Sequence, residues 1–446
     1  MKQKSAISLR NVDNVGKAFV AIQSQKSSKV FRISCELVEP VDGEVLNNAL
    51  DKLVKQFSFF QVEIKNGFLW PYLIKSAKLP AATPYIAPEC AQIYSKNRPG
   101  LLYEVAYRDK WIHLEVFHAL TDGIGASYFL RMLVIAYLMV RDGQDVNSVS
   151  LPEMVGLSPS EYELDGYEAN YVAPKFSYRR AGQGRAYQVS AQELQTNANR
   201  EDRLVIDTKA ALDVCHQKGI TAAELLTAIY VKSFYDTMAQ DLKKGTVSIA
   251  IPVNLRKMFG CMTARNFFAM IKTRHPVPIE SYTLDSILEV VHKDFKENLQ
   301  PDILRQNFSQ FIAIERSLMR FFPLTLKTLA LQFSDWLTAK NDTAILSNLG
   351  RMELPEEYAQ HVKAFDLMDK TDGIKLCVVS FGEEMSLHFT SGLDTSAVYN
   401  AFRATISDLG IPLLTHDAEC EEARVLPHVA RREQRRGLAQ LVPAKG

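Results

Sequence analysis

Two series of alternating strand and helix patterns, separated by an irregular stretch, most limit the folds open to this chain. The first series occupies residues 1–150 and the second residues 201–423. Between them, residues 151–200 are rich in Ser, Tyr, Gly and Pro and have no sustained period, which is typical of a linker or crossover. We therefore expect an α/β (two-layer α+β) protein of two lobes, each a mixed sheet flanked by helices, and not one doubly wound sheet.

Length and composition agree with two lobes. The chain has 446 residues, of which 47% are hydrophobic, enough to build two cores. Its net charge of +1 gives no sign of a nucleic-acid partner. Residues 424–446 carry six basic residues against Glu433, which predicts a basic, disordered tail outside the fold. The longest apolar run, 128–140, contains Arg131 and is too short for a transmembrane segment.

The cysteines and the N-terminus bear on the compartment. Six cysteines are scattered along the chain without metal-ligand spacing, which favours a reducing environment. No apolar signal segment follows Met1. We expect a cytoplasmic protein without disulfides. Because both lobes belong to one chain, we also expect a monomer.

The local patterns assign elements to each lobe. In the first, strands are expected at 30–38, in hairpins over 61–74 and 101–117, and helices over 45–57 and 125–140. In the second, a capping box at Thr221 and Glu224 predicts a helix, two or three helices fill 283–338, and a last helix covers 395–409. The strands expected in the second lobe are 204–206, 246–253, 267–273, 344–346, 362–367, 374–380 and 385–390.

The segment from His118 to Gly123, with Asp122 before the glycine, is the sharpest local signal. It follows a predicted strand and precedes an apolar helix, so its side chains are held rigidly at a sheet edge. An imidazole there suits a general base, because its pKa lies near neutrality. Gly123 permits a tight turn. A histidine that ends a strand and merely packs locally fits the same pattern.

Three elements in this order resemble the chloramphenicol-acetyltransferase-like acyltransferase superfamily. The His-x-x-x-Asp-Gly signature matches His118, Asp122 and Gly123, a second element matches 251–256, and a third matches 347–350. The resemblance extends over roughly residues 25–412 and is closest to bacterial alcohol-acetyltransferase-like and condensation-domain-like proteins. It implies two lobes of that family's type, with the active site at their junction.

The resemblance also implies roles for single residues. His118 would be the general base, and Asp122 would be structural, paired with Arg256. Ser347 and Asn348 would donate to the oxyanion of a tetrahedral intermediate. From the residues alone, Arg256 also fits a solvated surface charge, and Ser347 and Asn348 fit an ordinary turn.

The implied reaction moves an acyl group from a thioester to an alcohol or amine. The donor would be acyl-CoA or an acyl carrier protein, with acyl-CoA favoured, and no cofactor would be permanently bound. Two departures from the family are plain. Phe117 stands where condensation domains usually carry a first histidine, and the Asp-Phe-Gly-Trp-Gly element of the plant enzymes is absent.

The sequence also leaves other functions open. A catalytically inactive, condensation-like binding scaffold is the main alternative. A serine hydrolase is disfavoured because no G-x-S-x-G elbow is present. A zinc site built from His113, His118 and Asp122 is disfavoured because a strand and a turn would scatter these ligands. His388, on a predicted strand, is expected to be structural.

Overall fold

The computed structural model describes residues 10–24, 27–85, 88–97, 99–146, 149–174, 185–192, 194, 199–238, 245–277, 283–317, 321–338 and 340–414. Its strands are β1 (Arg10–Asn11), β2 (Val30–Leu37), β3 (Val62–Asn66), β4 (Pro71–Lys75), β5 (Ala82–Pro84), β6 (Tyr103–Arg108), β7 (Trp111–Phe117), β8 (Arg200–Asp207), β9 (Gly245–Asn254), β10 (Phe268–Val277), β11 (Ala344–Arg351), β12 (Val362–Asp369), β13 (Ile374–Phe381) and β14 (Glu384–Ser391). Its helices are α1 (Asn14–Ile22), α2 (Gly43–Gln56), α3 (Gly123–Arg141), α4 (Pro159–Tyr162), α5 (Gly166–Ala169), α6 (Thr208–Lys218), α7 (Ala222–Thr237), α8 (Arg256–Phe259), α9 (Leu284–Asn298), α10 (Pro301–Ser317), α11 (Leu324–Thr338), α12 (Glu356–Ala359) and α13 (Ser396–Asp408).

The strands form two large sheets and a small one. The first large sheet has the order β12-β2-β7-β6-β5, and the second has the order β10-β9-β11-β13-β14-β8. A small sheet, β1-β4-β3, lies beside the first. Both large sheets mix parallel and antiparallel pairs, since β5 runs parallel to β6 and β11 runs parallel to β9 and β13. Together with the flanking helices, this arrangement confirms the expected α/β class.

Strand β12 comes from the C-terminal half of the chain but belongs to the sheet of the N-terminal half. The sequence division assigns 362–367 to the C-terminal lobe, within 201–423, but β12 pairs antiparallel with β2 in the first sheet, with Asp366 opposite Ser34. The assignment of this strand was therefore wrong. A short apolar strand fits the edge of either sheet, so its local pattern does not determine its partner. The crossover ties the two lobes together.

The segment expected to be a linker contains ordered helices. Helices α4 and α5 lie between 159 and 169 and contact the second lobe. The carbonyl oxygen of Tyr162 accepts hydrogen bonds from the amide of Ala264 at 2.7 Å and from the hydroxyl of Thr263 at 3.2 Å. The predicted basic tail, 424–446, lies outside the described residues.

Each large sheet has its own hydrophobic core. In the first lobe, α2 and α3 pack together and α3 lies against β2 and β7. Helix α3 is apolar on all sides and almost wholly buried. In the described part of the chain, it alone is long and apolar enough to cross a membrane, yet 78% of its most apolar segment is buried inside the protein. A core helix meets the same criteria.

Helices α10 and α11 leave large apolar side chains exposed at the surface. On α11 these include Leu329, Phe333 and Trp336, with Trp336 70% exposed. The rings of Phe333 and Trp336 stack at 5.8 Å between centroids. The inner side of α11 packs on α1, where the Gln332 side chain donates to the carbonyl of Ala21.

Candidate active site

The turn between β7 and α3 positions the histidine of the signature. The amide of His118 donates to the carbonyl of Lys29 at 2.8 Å, which fixes the backbone at the end of the strand. Asp122 caps α3 by accepting from the amide of Gly125 at 3.0 Å. Gly125 itself has no room for a side chain, since an added Cβ would lie 2.1 Å from the carbonyl oxygen of Ala264. The turn is therefore pressed against the second lobe.

Asp122 and Arg256 form a buried, bidentate ion pair across the two lobes. The Arg256 guanidinium donates from Nη2 to Oδ1 at 2.8 Å and from Nη1 to Oδ2 at 3.0 Å. Arg256 is 1% exposed and Asp122 is 5% exposed. This is the pairing that the family resemblance implies. The amide of Phe267 also donates to Asp122 Oδ2, at 2.9 Å, so the carboxylate accepts from both lobes.

The remaining donors of Arg256 are also used. Its Nε donates to the carbonyl of Thr263 and its Nη2 to the carbonyl of Arg265, both at 2.7 Å. Nη1 additionally reaches the side-chain oxygen of Asn254 at 3.1 Å. Because a buried charge is tolerated only when its hydrogen-bonding groups are satisfied, this set makes the pair a rigid brace and not a loose surface contact.

His118 is held through one ring nitrogen by Asn266. The two atoms, Nδ1 of His118 and Oδ1 of Asn266, are 3.2 Å apart, and Nδ2 of Asn266 donates to the His118 carbonyl at 3.0 Å. An amide oxygen only accepts, so Nδ1 carries the proton and Nε2 is left with its lone pair. The imidazole packs against the rings of Phe19 at 4.4 Å and Phe31 at 4.9 Å.

Asp13 stands behind Asn266 and orients its amide. Nδ2 of Asn266 lies 3.2 Å from Oδ2 of Asp13. Asp13 also caps α1 by accepting from the amide of Gly16 at 2.7 Å, and Arg265 is 3.9 Å away. Burial raises the pKa of Asp13 to about 6, with Arg265 acting in the opposite direction. A chain from Asp13 through Asn266 to His118 thus sets the orientation of the imidazole.

Electrostatics keep His118 neutral. Burial disfavours the imidazolium and lowers the pKa of His118 below its ordinary value, while Asp369 and Asp122 act weakly in the opposite direction. The positive charge of Lys375, which pairs with Asp369, lowers the pKa of His118 as well. At neutral pH the imidazole is therefore unprotonated and able to accept a proton.

Ser347 and Asn348 lie on β11, next to the signature turn. Leu349 packs so closely on Gly123 that a Cβ on this glycine would lie 2.5 Å from the leucine side chain. The strand is irregular here, with a register shift after Asn348 and a positive φ of 75° at Gly350. Asn348 Oδ1 accepts from the amide of Gly350 at 2.7 Å. Its NH₂ group is thereby oriented, although no direct bond joins Ser347 or Asn348 to His118 among the described contacts.

The structure does not bring the alternative zinc ligands together. Nδ1 of His113 is 2.8 Å from the hydroxyl of Ser34, His118 is bonded to Asn266, and Asp122 is paired with Arg256. Within the described ranges, no group of three or more His, Cys, Asp or Glu side chains has the geometry to hold a metal ion.

Sequence reasoning missed Asn266 and Asp13. Asn266 follows Arg265 in a loop without a motif, and its role depends on a contact 148 positions away along the chain. Asp13 had one local signal, since an Asp before Asn14 and an apolar segment is a helix cap. That signal predicts a cap but not a contact with the histidine.

Comparisons with known proteins address the fold. No protein-family profile matches the chain, and no curated protein matches it in sequence. Solved structures do match. TRI3 trichothecene 15-O-acetyltransferase from Fusarium sporotrichioides superposes with a TM-score of 0.63 at 12% identity, covering 90% of this chain and 94% of that one. The first condensation domain of the calcium-dependent antibiotic synthetase superposes with a TM-score of 0.61 at 16% identity, covering 93% and 100%.

A third structure, F. sporotrichioides TRI101 complexed with coenzyme A and T-2, gives a TM-score of 0.60 at 11% identity, covering 91% of this chain and 99% of that one. The chain has the chloramphenicol-acetyltransferase-like fold. The expected resemblance is thus confirmed for the architecture, over nearly the whole length of each compared structure. At these identities the likeness concerns the fold alone.

The brace can be tested by a double-mutant cycle. Asp122→Ala and Arg256→Ala should each destabilise the protein, because each leaves the partner charge buried and unpaired. The double variant should lose less than the sum of the two, with a coupling of about 0.5–3 kcal/mol in chemical unfolding.

The exposed pair Lys218 and Asp285 is the matched control, with an expected coupling under about 1 kcal/mol. Additive losses at Asp122 and Arg256 would contradict the interpretation of this pair as a brace.

The raised pKa of Asp13 predicts a specific pH dependence of stability. The folded pKa of about 6 lies above the ordinary value of 3.8, so the folded state is favoured at low pH and loses that stability as pH rises through 6. As the pH rises from 4 to 7, the wild type should lose up to about 3 kcal/mol of unfolding free energy through ionisation of Asp13. Asp13→Asn should not show this loss.

Urea unfolding at both pH values measures this difference. Asp42→Asn, at an exposed helix cap, controls for the replacement of a capping carboxylate by an amide. A difference between Asp13→Asn and wild type that does not change with pH would show that folding does not raise the pKa of Asp13.

Proposed function

We propose that this protein is an acyltransferase that moves an acyl group from a thioester to an alcohol or amine, with His118 as the general base. The single observation that carries the proposal is the state of His118. Its imidazole is neutral because of burial, its Nδ1 is engaged by Asn266, and the turn that holds it is fixed by the Asp122–Arg256 pair. A base needs this combination of lone pair and fixed position.

The proposed reaction starts with proton removal. Nε2 of His118 takes the proton of the acceptor hydroxyl or amine as the acceptor oxygen or nitrogen attacks the thioester carbonyl carbon. The carbonyl π electrons move to oxygen and form a tetrahedral oxyanion. When the intermediate collapses, the carbon–sulfur bond breaks, and the imidazolium returns its proton to the departing thiolate. The histidine is regenerated, and no electrons are exchanged with a cofactor.

Donors for the oxyanion are proposed on β11. Since Oδ1 of Asn348 is bonded to the Gly350 amide, its NH₂ group is the donor that remains, and the Ser347 hydroxyl is a second. Asp122 in this proposal remains a structural residue. Its carboxylate is already bonded to Arg256, Phe267 and Gly125, which leaves it unsuited to orient the imidazole as in a triad.

Acyl-CoA is the proposed donor. The TRI101 structure of the same fold is complexed with coenzyme A, and its second ligand, T-2, is a small molecule. Phe117 in place of a first histidine weighs against the condensation-domain reaction, although an acyl carrier protein would present the same thioester. We propose that the enzyme acts as a monomer, since both lobes and the whole site belong to one chain. We also propose that it acts in the cytoplasm, as the scattered cysteines favour a reducing environment.

An inactive binding scaffold is the competing proposal. It shares the fold but needs neither a neutral imidazole nor a fixed ring orientation, so the Asp13–Asn266–His118 chain favours a catalyst.

The base is tested by replacing it. His118→Ala should lower turnover by about two to four orders of magnitude, the contribution of general-base catalysis, while thermal unfolding stays cooperative. Free thiol release from a panel of acyl-CoAs, offered with several alcohols and amines, measures turnover.

His216→Ala, on the surface of α6, is the control and should keep full activity. If the wild type consumes no thioester from any donor, the scaffold alternative stands. If the wild type is active and His118→Ala keeps near-normal turnover, His118 is not the base.

A further inference from the structure

A polar cavity of about 420 Å³ lies between the two large sheets, at a distance from His118. Its walls come from β2, β7 and β12 of the first sheet and from β8 and β14 of the second. His113, which lines it, precedes His118 by five positions on an extended strand, a separation of about 16 Å. The lining residues are Arg32, Ser34, Glu36, Tyr85, Glu89, Arg108, Asp109, Lys110, Trp111, His113, Glu201, Arg203, Asp366 and His388.

A buried histidine–aspartate pair occupies one wall. Nδ1 of His388 lies 2.9 Å from Oδ2 of Asp366, and Oδ1 of Asp366 accepts from the Ser386 hydroxyl at 2.7 Å. Burial opposes ionisation of Asp366, but His388, Arg203 and Ser386 together hold its pKa well below the usual range. An ionised carboxylate only accepts, so Nδ1 of His388 carries a proton and Nε2 is the free nitrogen.

Three nitrogen atoms of the lining residues have no hydrogen-bond partner among the described residues. They are Nε2 of His388, Nε of Arg32 and one terminal nitrogen, Nη2, of Arg203. His388 is 6% exposed and Arg32 is 9% exposed. A buried polar atom without a partner costs about 1–3 kcal/mol. Three of them around one cavity indicate that its occupant supplies hydrogen bonds.

The composition of the walls selects the chemistry of the occupant. Four basic and five acidic residues line the cavity, so the charges nearly balance and a strongly charged ligand gains little. The lining offers both donors and acceptors, which suits hydroxyl groups, because each can both donate and accept. Two large aromatic rings, Tyr85 and Trp111, add apolar faces, and the Arg203 guanidinium lies 5.5 Å from the Trp111 ring. The volume fits a small molecule.

We propose that this cavity binds a neutral, polyhydroxylated molecule of the sugar or polyol class. A ligand hydroxyl interacts with Nε2 of His388, and ligand oxygens accept from Arg32 and Arg203. His118 does not line the cavity, and the proposal does not rest on the function proposed for His118. Binding can therefore be measured without any thioester.

Tryptophan fluorescence gives a direct test, because the chain has three tryptophans and one of them lines the cavity. The variant Trp70→Phe/Trp336→Phe keeps Trp111 as the sole reporter. Maltose and sorbitol are the neutral probes, and sodium gluconate and glucose 6-phosphate are the charged ones. At least one neutral probe should change the Trp111 emission saturably, and neither charged probe should bind more tightly.

Two substitutions in this background locate the site. His388→Phe should weaken binding of the neutral probe by about tenfold, and Arg203→Gln, at a partly exposed position, should weaken it as well. His216→Phe is the matched surface control, and His118→Ala should bind the probe unchanged. Circular dichroism verifies that each variant is folded.

Three outcomes would overturn the proposal. Absence of a saturable response to either neutral probe in the folded protein would mean that the cavity holds water only. Tighter binding of a charged probe would make the chemical class wrong. Equal affinity in the folded Arg203→Gln and His388→Phe variants would place the bound probe elsewhere.

Discussion

The buried contact between Asp122 and Arg256 is the interaction on which the arrangement of this molecule depends. Removing two charges from water is costly, and their mutual attraction compensates only when the geometry is good and the remaining hydrogen bonds are satisfied. Here the carboxylate receives two guanidinium bonds and two backbone amides, one from each lobe. The pair can form only when both lobes are in place, so it fixes their relation and the turn that carries His118.

The loop after α8 converts this contact into the orientation of the histidine. Phe267 and Asn266 are neighbours in sequence, and the first donates its amide to Asp122 while the second engages Nδ1 of His118. One short segment of the second lobe thus holds both ends of the signature. A shift of the loop would loosen the brace and turn the imidazole at the same time. The position of the base is therefore a property of the interface between the lobes, not of β7 alone.

Local signals predicted the parts of this site that a short segment determines. The strand before His118 and the apolar helix after Asp122 follow from residues within a few positions of one another. The role of Asn266 and the pairing of β12 could not be predicted from the sequence, because each depends on a partner far away in the chain. The sequence pattern of β12 is typical of an apolar strand, and such a strand fits either sheet, so the pattern does not identify its partner. The family resemblance supplied Arg256 as the partner of Asp122, which periodicity could not.

His118 and His388 differ in what holds Nδ1. A neutral amide engages His118, so no negative charge stands in direct contact with the ring, and burial keeps the imidazole unprotonated. His388 bonds instead to the carboxylate of Asp366, which Arg203 and Ser386 also satisfy. The first arrangement leaves a neutral lone pair ready to take a proton, as proton transfer requires. The second fixes a ring beside an ionised group and presents its other nitrogen to a polar cavity, which suits binding. The same residue type, after the end of β7 in one case and within β14 in the other, is thus directed toward different chemistry by one neighbouring side chain.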